Sequence, residues 1–457
     1  DKNRAPEAGV MKKITHCRAC GSKALSPAFS LSGLGTPASG LTGRRNGDLD
    51  FVYCDPMRDA RACGLLQSAQ AGAEKETVDE PSGRYASTRN HLRQMATEAL
   101  ELISGRDCSA LDIGCSDGTL LSFYPRWVER FGVDLSSAVE QVGDWAWTAK
   151  AEFPSPELDR AFGGKKFDII TAASVFERID EPRSFLARVK SLLGGDGVFV
   201  LETVYAPMTL TRTSIETIAG GAVSIYSLGV LERLVRDSGL KIFRGLLTDK
   251  GGGSVRLFIT HAEAEDHDFD PWYERLARLW DEENALSLRS HAPYQAFERR
   301  ANEARTEFRK LLGDAAGRGE SAHVLGAGPA SAAIVALAGA EARAITYAVG
   351  RTPSPKVAGL PVISETDSRA AEPDYLIAPA SLKREMLERW RESIMLGAKL
   401  IVATPAPHVI TAGNYAPELA KTLAAGDGAG GVETLRAILG ASGAPRLVAQ
   451  TPVAQTA

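Results

Sequence analysis

One short segment constrains the centre of this chain more than any other: Ser109-Ala-Leu-Asp-Ile-Gly114, followed by Cys-Ser-Asp-Gly118. An apolar run that stops at glycine reads as a buried strand and a sharp turn, because glycine takes positive φ without strain and lets a ligand come close to the backbone. Helical spacing over 91–103 leads into it, and Phe131-Gly-Val-Asp134 follows as a second strand ending in a carboxylate. The alternation continues with a strand in 166–171, an amphipathic helix in 185–193, the turn Gly194-Gly-Asp-Gly197 and an apolar strand through Glu202. Strands alternating with helices predict an α/β fold with a largely parallel sheet and a ligand at the carboxyl ends of its strands.

The spacing Asp112-x-Gly114-x-x-x-Gly118 departs from the Gly-x-Gly-x-x-Gly that makes room for a pyrophosphate. A nucleoside without phosphates suits it better than a dinucleotide, and S-adenosylmethionine is the expected cofactor. Asp134 is expected to accept from the ribose hydroxyls. Asp112, Gly114, Ser116, Asp117, Gly118 and Ala173 are the remaining expected contacts, the acids lying near a cationic ligand.

At 457 residues the chain exceeds a single core and should divide into domains. A formal net charge of -4 offers no cationic field for nucleic acid, and no run approaches the roughly 18 to 20 apolar residues of a membrane span. Residues 1–10 read as an unstructured leader, and a reducing cytoplasm is the expected location. Four of the six cysteines precede residue 64: Cys17-x-x-Cys20, then Cys54 and Cys63. Four thiolates can close a tetrahedral zinc shell in a segment with little apolar bulk, so structural Zn2+ is expected there, with ordinary free thiols as the alternative. Cys108 and Cys115 are expected to be small core residues.

These pieces, together with Cys63-Gly-Leu-Leu-Gln67, Tyr85-Ala-Ser-Thr88, Ser224-Ile-Tyr-Ser-Leu228, Gly252-Gly-Ser-Val-Arg256, His323-Val-Leu-Gly-Ala-Gly328, Ile345-Thr-Tyr-Ala-Val349 and Leu400-Ile-Val-Ala-Thr-Pro-Ala-Pro407, run along nearly the whole chain. In them the chain resembles the bacterial sugar C-methyltransferases. The resemblance implies a zinc-binding module (11–80), a class I S-adenosylmethionine-dependent methyltransferase domain (81–262), a helical connector (263–315) and a second Rossmann-like α/β domain (316–457). It further implies a nucleotide-linked sugar or related glycan precursor as acceptor, and, for carbon methylation, a general base that removes the proton beside a carbonyl.

The family's Tyr/His-rich stretch is here Ala219-Gly-Gly-Ala222, and Gly251 stands where a histidine usually precedes the Gly-Gly-Ser turn. Methylation of a hydroxyl or amine, carbon methylation with a relocated base, and a non-catalytic scaffold or substrate-binding protein retaining the fold all stay open. Tyr85, His91, Glu177, Glu216 and Tyr226 are the candidates for acid/base or acceptor-binding work, and Arg178 for pairing with an anionic acceptor. In the last domain Gly350 stands where a ribose-binding acid would be expected and Pro329 interrupts the glycine loop, so that domain is expected to cradle the acceptor rather than to bind a nicotinamide. Helices are expected in 383–394, 416–425 and 431–439.

Overall fold

The computed structural model describes residues 12–35, 47–71, 81–103, 107–265, 267, 270–350 and 356–426. The leader 1–10 and the helix expected at 431–439 lie outside the described residues.

The N-terminal strands β1 (Leu25–Leu31), β2 (Leu49–Cys54) and β3 (Leu66–Ser68) form an antiparallel sheet. Its fourth strand, Ser224–Ile225, comes from far along the chain and pairs with β3. The N-terminal segment is therefore completed by a later one, because three short strands bury too little apolar surface to stand alone.

Helix α1 (Ala86–Leu100) leads into the central sheet of β4 (Cys108–Ile113), β5 (Val128–Asp134), β6 (Trp147–Lys150), β7 (Phe167–Ala173), β8 (Leu193–Val204), β9 (Leu240–Thr248) and β10 (Ser254–His261). The strand order is β9-β10-β8-β7-β4-β5-β6; β8, β7, β4, β5 and β6 are parallel, and β10 runs antiparallel to β8 and β9. Both faces are covered, so β4 and the 197–204 part of β8 are buried throughout. Helix α2 (Pro156–Phe162) and α3 (Pro182–Leu192) each start on a proline, whose fixed φ suits the first helical turn. On α3 the buried face is Phe185, Leu186, Val189 and Leu192, each side chain contributing roughly 1.5–3 kcal/mol of burial. Short helices α4 (Ala206–Thr211) and α5 (Ile215–Ala219) precede α6 (Leu228–Asp237), whose Ser227 hydroxyl accepts the N–H of Val230 at 3.4 Å.

The connector is two helices, α7 (Asp270–Ala285) and α8 (Ala292–Gly317). Its seam is Leu279, Tyr294, Phe297, Phe308 and Leu312, all buried; Phe297 meets Phe29 of β1 at a centroid distance of 4.7 Å. Trp280 is half-buried over Gly229, and Tyr273 is exposed. The last sheet contains β11 (Ala322–Leu325), β12 (Ile345–Gly350), β13 (Val362–Ser364), β14 (Tyr375–Ala378), β15 (Lys399–Val402) and β16 (His408–Ile410) in the order β13-β12-β11-β14-β15-β16, parallel except for β16. Around it lie α9 (Pro329–Ala338), α10 (Glu365–Ala370), α11 (Lys383–Arg389), α12 (Arg391–Met395) and α13 (Tyr415–Gly426). Pro329 opens α9 rather than interrupting a loop. The single helix expected over 383–394 is broken at Trp390, whose ring is buried and whose backbone leaves helical geometry (φ -103, ψ 13). Among the described residues no helix is long and apolar enough to cross a membrane.

Candidate active site

A crevice of about 240 Å3 opens at the carboxyl ends of β4, β7 and β8. Register brings its floor together: Asp112 of β4 lies beside Thr171 of β7, Ala173 of β7 beside Glu202 of β8, and Glu202 beside Arg256 of β10. Its lining includes Asp112, Gly114, Cys115, Leu120, Ala173 and Ser174, Tyr85 just before α1, Thr88, His91 and Leu92 of α1, and Glu202 and Lys250. Ser116 (φ 48) and Ser174 (φ 59) hold left-handed backbones where their strands end, a strain that concentrates at functional sites.

The glycines of the turn answer to protein packing as well as to a ligand. A Cβ on Gly114 would collide with Val175, one on Gly118 would meet Val142 at 3.1 Å and Trp145 at 3.2 Å, and both have positive φ. Asp134 is placed as expected at the end of β5, where its oxygens accept from the backbone N–H groups of Ser116 at 2.8 Å and Ser136 at 2.7 Å. Each carboxylate oxygen has a further lone pair, so the group keeps acceptor capacity. Asp117 accepts from the Ser82 hydroxyl at 2.7 Å, and the Ser116 hydroxyl accepts from the Ser82 N–H at 3.3 Å, so the 3₁₀ turn Ser82–Arg84 lies against this loop. Asp112 is buried and accepts from the Thr171 hydroxyl at 2.7 Å; burial pushes its carboxyl up to about 7, with the Asp134 and Asp117 charges adding to the rise.

A buried ion cluster fixes α1 to the sheet. Glu202 accepts from the Arg256 guanidinium at 2.8 Å and meets His91 Nε2 at 2.5 Å, while Arg256 also reaches Glu98 of α1 at 2.7 Å. Burial alone would raise the carboxyl of Glu202, but Arg256 and His91 hold it down at about 2. Lys250 Nζ donates to the Thr88 hydroxyl at 3.1 Å, and burial lowers the ammonium's pKa.

Of the five acid/base candidates, the crevice brings together Tyr85 and His91. The other three lie outside its lining. Glu177 is buried and accepts from the Thr203 hydroxyl at 2.9 Å; Tyr226 is buried in a stack on Phe176 at 4.9 Å. Glu216 is buried against the last domain, accepting from Thr404 Oγ1 at 2.7 Å and Ala380 N–H at 3.2 Å. Arg178 donates to the Gly220 carbonyl at 2.9 Å. Sequence reading missed Glu202 and Lys250: the first was read as the end of an apolar strand, and the second stands one residue before the position searched for histidine.

A second cluster lies in the N-terminal segment. The sulfurs of Cys17, Cys20, Cys54 and Cys63 all lie within 4.8 Å of one another, with Cys17 to Cys63 at 3.6 Å and Cys20 to Cys54 at 3.5 Å. Tetrahedral thiolates on a zinc ion sit roughly 3.8 Å apart, so the four fit such a shell. Hydrogen bonding from Cys17 and Cys54 holds the Cys20 thiol well below the ordinary range. Positive-φ Gly21 and Gly64 turn the chain after Cys20 and Cys63, which lets the wide second pair converge. Cys108 and Cys115 are buried in the core.

Residues 84–244 match the family described as a methyltransferase domain, and residues 249–405 match the C-methyltransferase C-terminal domain. The C-methyltransferase NovU of Streptomyces niveus is 26% identical over 440 residues, spanning 88% of this chain and 98% of that protein. Together these matches support a bacterial C-methyltransferase family for this chain. The chain is an S-adenosylmethionine-dependent methyltransferase. Among solved structures, it is similar to an S-adenosylmethionine-dependent methyltransferase from Clostridium acetobutylicum, at 14% identity over 40% of this chain and 93% of that one, with a TM-score of 0.31. It is also similar to magnesium protoporphyrin IX methyltransferase from Synechocystis with bound SAH, at 17% identity over 38% and 83%, with a TM-score of 0.31.

Proposed function

We propose that this methyltransferase methylates a carbon next to the carbonyl of a nucleotide-linked keto-sugar. One observation carries the reading: Asp112, Gly114 and Ala173 share a single crevice with Tyr85, His91, Glu202 and Lys250, so residues for a cofactor and residues that handle protons line one cavity. A relative named as a C-methyltransferase, matched over 88% of this chain, supports carbon as the methylated atom.

When bound, S-adenosylmethionine supplies an electrophilic methyl group on a sulfonium. The buried acid Asp112 suits its positive charge, Leu92 and Leu120 offer apolar surface, and the turn at Gly114 holds the nucleoside together with Asp134, which lies outside the crevice lining at the end of β5. On the acceptor side the Tyr85 phenol stays protonated, because burial raises its pKa, and it is a hydrogen-bond donor for a sugar oxygen. Glu202 orients His91, and bringing the acceptor carbon in line with the methyl supplies much of the acceleration by orientation alone.

The histidine-poor stretch has a packing reason in this reading. Helix α5 packs on α9 of the last domain, and a Cβ on Gly220, just after α5, would press on the Glu216 carbonyl at 2.8 Å, so glycine there serves the close of α5 at that contact. That domain then closes the acceptor side. The segments divide the work as 11–80 for zinc, 81–262 for methyl transfer, 263–315 as connector and 316–457 for cradling the acceptor. The cysteine cluster holds a structural Zn2+ that braces the N-terminal sheet.

The test is incubation of the full chain with S-adenosylmethionine and thymidine diphosphate-linked 4-keto-6-deoxyglucose, followed by carbon NMR of the product. A new methyl carbon bonded to a ring carbon is expected. A methyl ether would instead assign a hydroxyl acceptor, and an unmethylated sugar would remove this acceptor.

A further inference from the structure

We propose that Lys250 is the general base of the reaction: its amine takes the proton lost from the acceptor carbon, in place of the histidines missing from this chain. The assignment rests on the carbon-methylation reading above.

The turn that carries Lys250 is built for one placement. Gly251, Gly252 and Gly253 all have positive φ (60, 86 and 136), a run that only glycine sustains without strain. It is wedged onto α4 and α5: a Cβ on Gly252 would lie 2.7 Å from Ser214 Oγ, and one on Gly253 would collide with Met208. The Thr217 hydroxyl donates to the Gly251 carbonyl and the Ser214 hydroxyl to that of Gly252 at 3.2 Å. Glycine at 251 thus serves the turn, and the ionisable group sits one residue earlier, at the crevice wall.

Lys250 has one hydrogen-bond acceptor, the Thr88 hydroxyl at 3.1 Å, and among the described residues no carboxylate lies within ion-pair distance of its Nζ. An ammonium carries three donors, of which Thr88 takes one, whereas a neutral amine donating to Thr88 keeps its lone pair for a proton. The charged and titratable groups around it are Glu202 from β8, Glu385 from α11, His91 and Tyr85 from α1 and Asp112 from β4. Burial disfavours the ammonium, Glu202 and Glu385 act against that from a distance, and a sulfonium in the same crevice would add to the lowering. After proton transfer, the same two carboxylates stabilise the ammonium that forms.

The neighbouring groups are committed elsewhere. Glu202 is held at about 2 by Arg256 and His91, Tyr85 is kept protonated by burial, and His91 Nε2 lies between Glu202 at 2.5 Å and Arg256 at 3.0 Å. Asp112 accepts from the Thr171 hydroxyl at 2.7 Å. In the step itself the C–H bond beside the carbonyl breaks, an N–H bond forms on Lys250, and the electron pair passes into the carbonyl as an enolate. The lysine returns its proton to solvent after each turnover.

Two measurements test this. Competitive acetylation of the full wild-type chain across pH, read at each lysine by mass spectrometry, needs no acceptor. Lys250 is expected to titrate below the surface lysines, whose reference value is about 10.4, and co-titration with them would overturn the assignment. The second is hydrogen–deuterium exchange at the ring carbon of thymidine diphosphate-linked 4-keto-6-deoxyglucose in D2O without S-adenosylmethionine. Lys250→Met and Lys250→Arg, each with a wild-type circular dichroism spectrum, are expected to lose about 10²- to 10⁴-fold in exchange rate. Exchange at the wild-type rate in either variant would overturn Lys250 while leaving carbon methylation standing. No exchange by wild type would overturn the carbon reading and the lysine assignment with it.

Discussion

Glu385, on α11 of the last domain, accepts the backbone N–H of Ser87 at 3.2 Å across 298 residues of sequence. It also accepts from the Ala86 N–H at 3.2 Å, and the Ser87 hydroxyl donates to it, so one buried carboxylate caps α1, whose own flanking Tyr85 makes no side-chain cap. Helix α1 delivers Tyr85, Thr88 and His91 to the crevice, which couples that wall to the last domain. Glu385→Ala is expected to destabilise the chain by about 1–2 kcal/mol, the scale of a lost helix cap, and Glu385→Gln by less, since an amide oxygen still accepts. Urea denaturation of the three proteins checks the order.

Asp112 ties the cofactor side to pH. Its folded pKa of about 7 lies above the unfolded value, so its contribution to folding is full below about pH 4 and is lost as pH rises through about 7. A cationic ligand favours the ionised form. Affinity for S-adenosylmethionine is therefore expected to rise between roughly pH 6 and pH 8, and Asp112→Asn should both weaken it and flatten that dependence. Calorimetric titrations at several pH values measure it.

Gly114→Ala places a methyl group against the Val175 side chain at a position with φ of 80. A loss of about 1–3 kcal/mol is expected. Adding Val175→Ala should recover the part due to collision and leave the part due to backbone strain, which thermal denaturation of the double variant separates.

The four-cysteine cluster is expected to retain one zinc per chain through purification, read by elemental mass spectrometry. Cys54→Ser should lower both the zinc content and the melting temperature, because a closed thiolate shell contributes folding energy and three ligands leave it open.

Local pattern explains what was readable in the sequence. The run through Gly114, the carboxylate at Asp134 and the Cys17 to Cys20 knuckle each depend on neighbours a few residues away, and each lies where its local signal pointed. The crevice wall does not work that way. His91 and Glu202 meet across 111 residues, and Glu202 looked like the tail of an apolar strand until β8 and β10 set Arg256 beside it. Glu216 and Tyr226 carried ionisable groups in a suggestive stretch, yet packing turned one toward Thr404 and the other onto Phe176. Lys250 escaped notice because glycine, not the ionisable residue, occupies the constrained place in its turn.

The most direct test of the account is calorimetric titration of the full chain with S-adenosylmethionine. One molecule should bind per chain, and Asp134→Ala should abolish the heat while the variant keeps its wild-type circular dichroism spectrum. A folded wild-type chain that releases no heat at any pH tested would contradict the account at its centre.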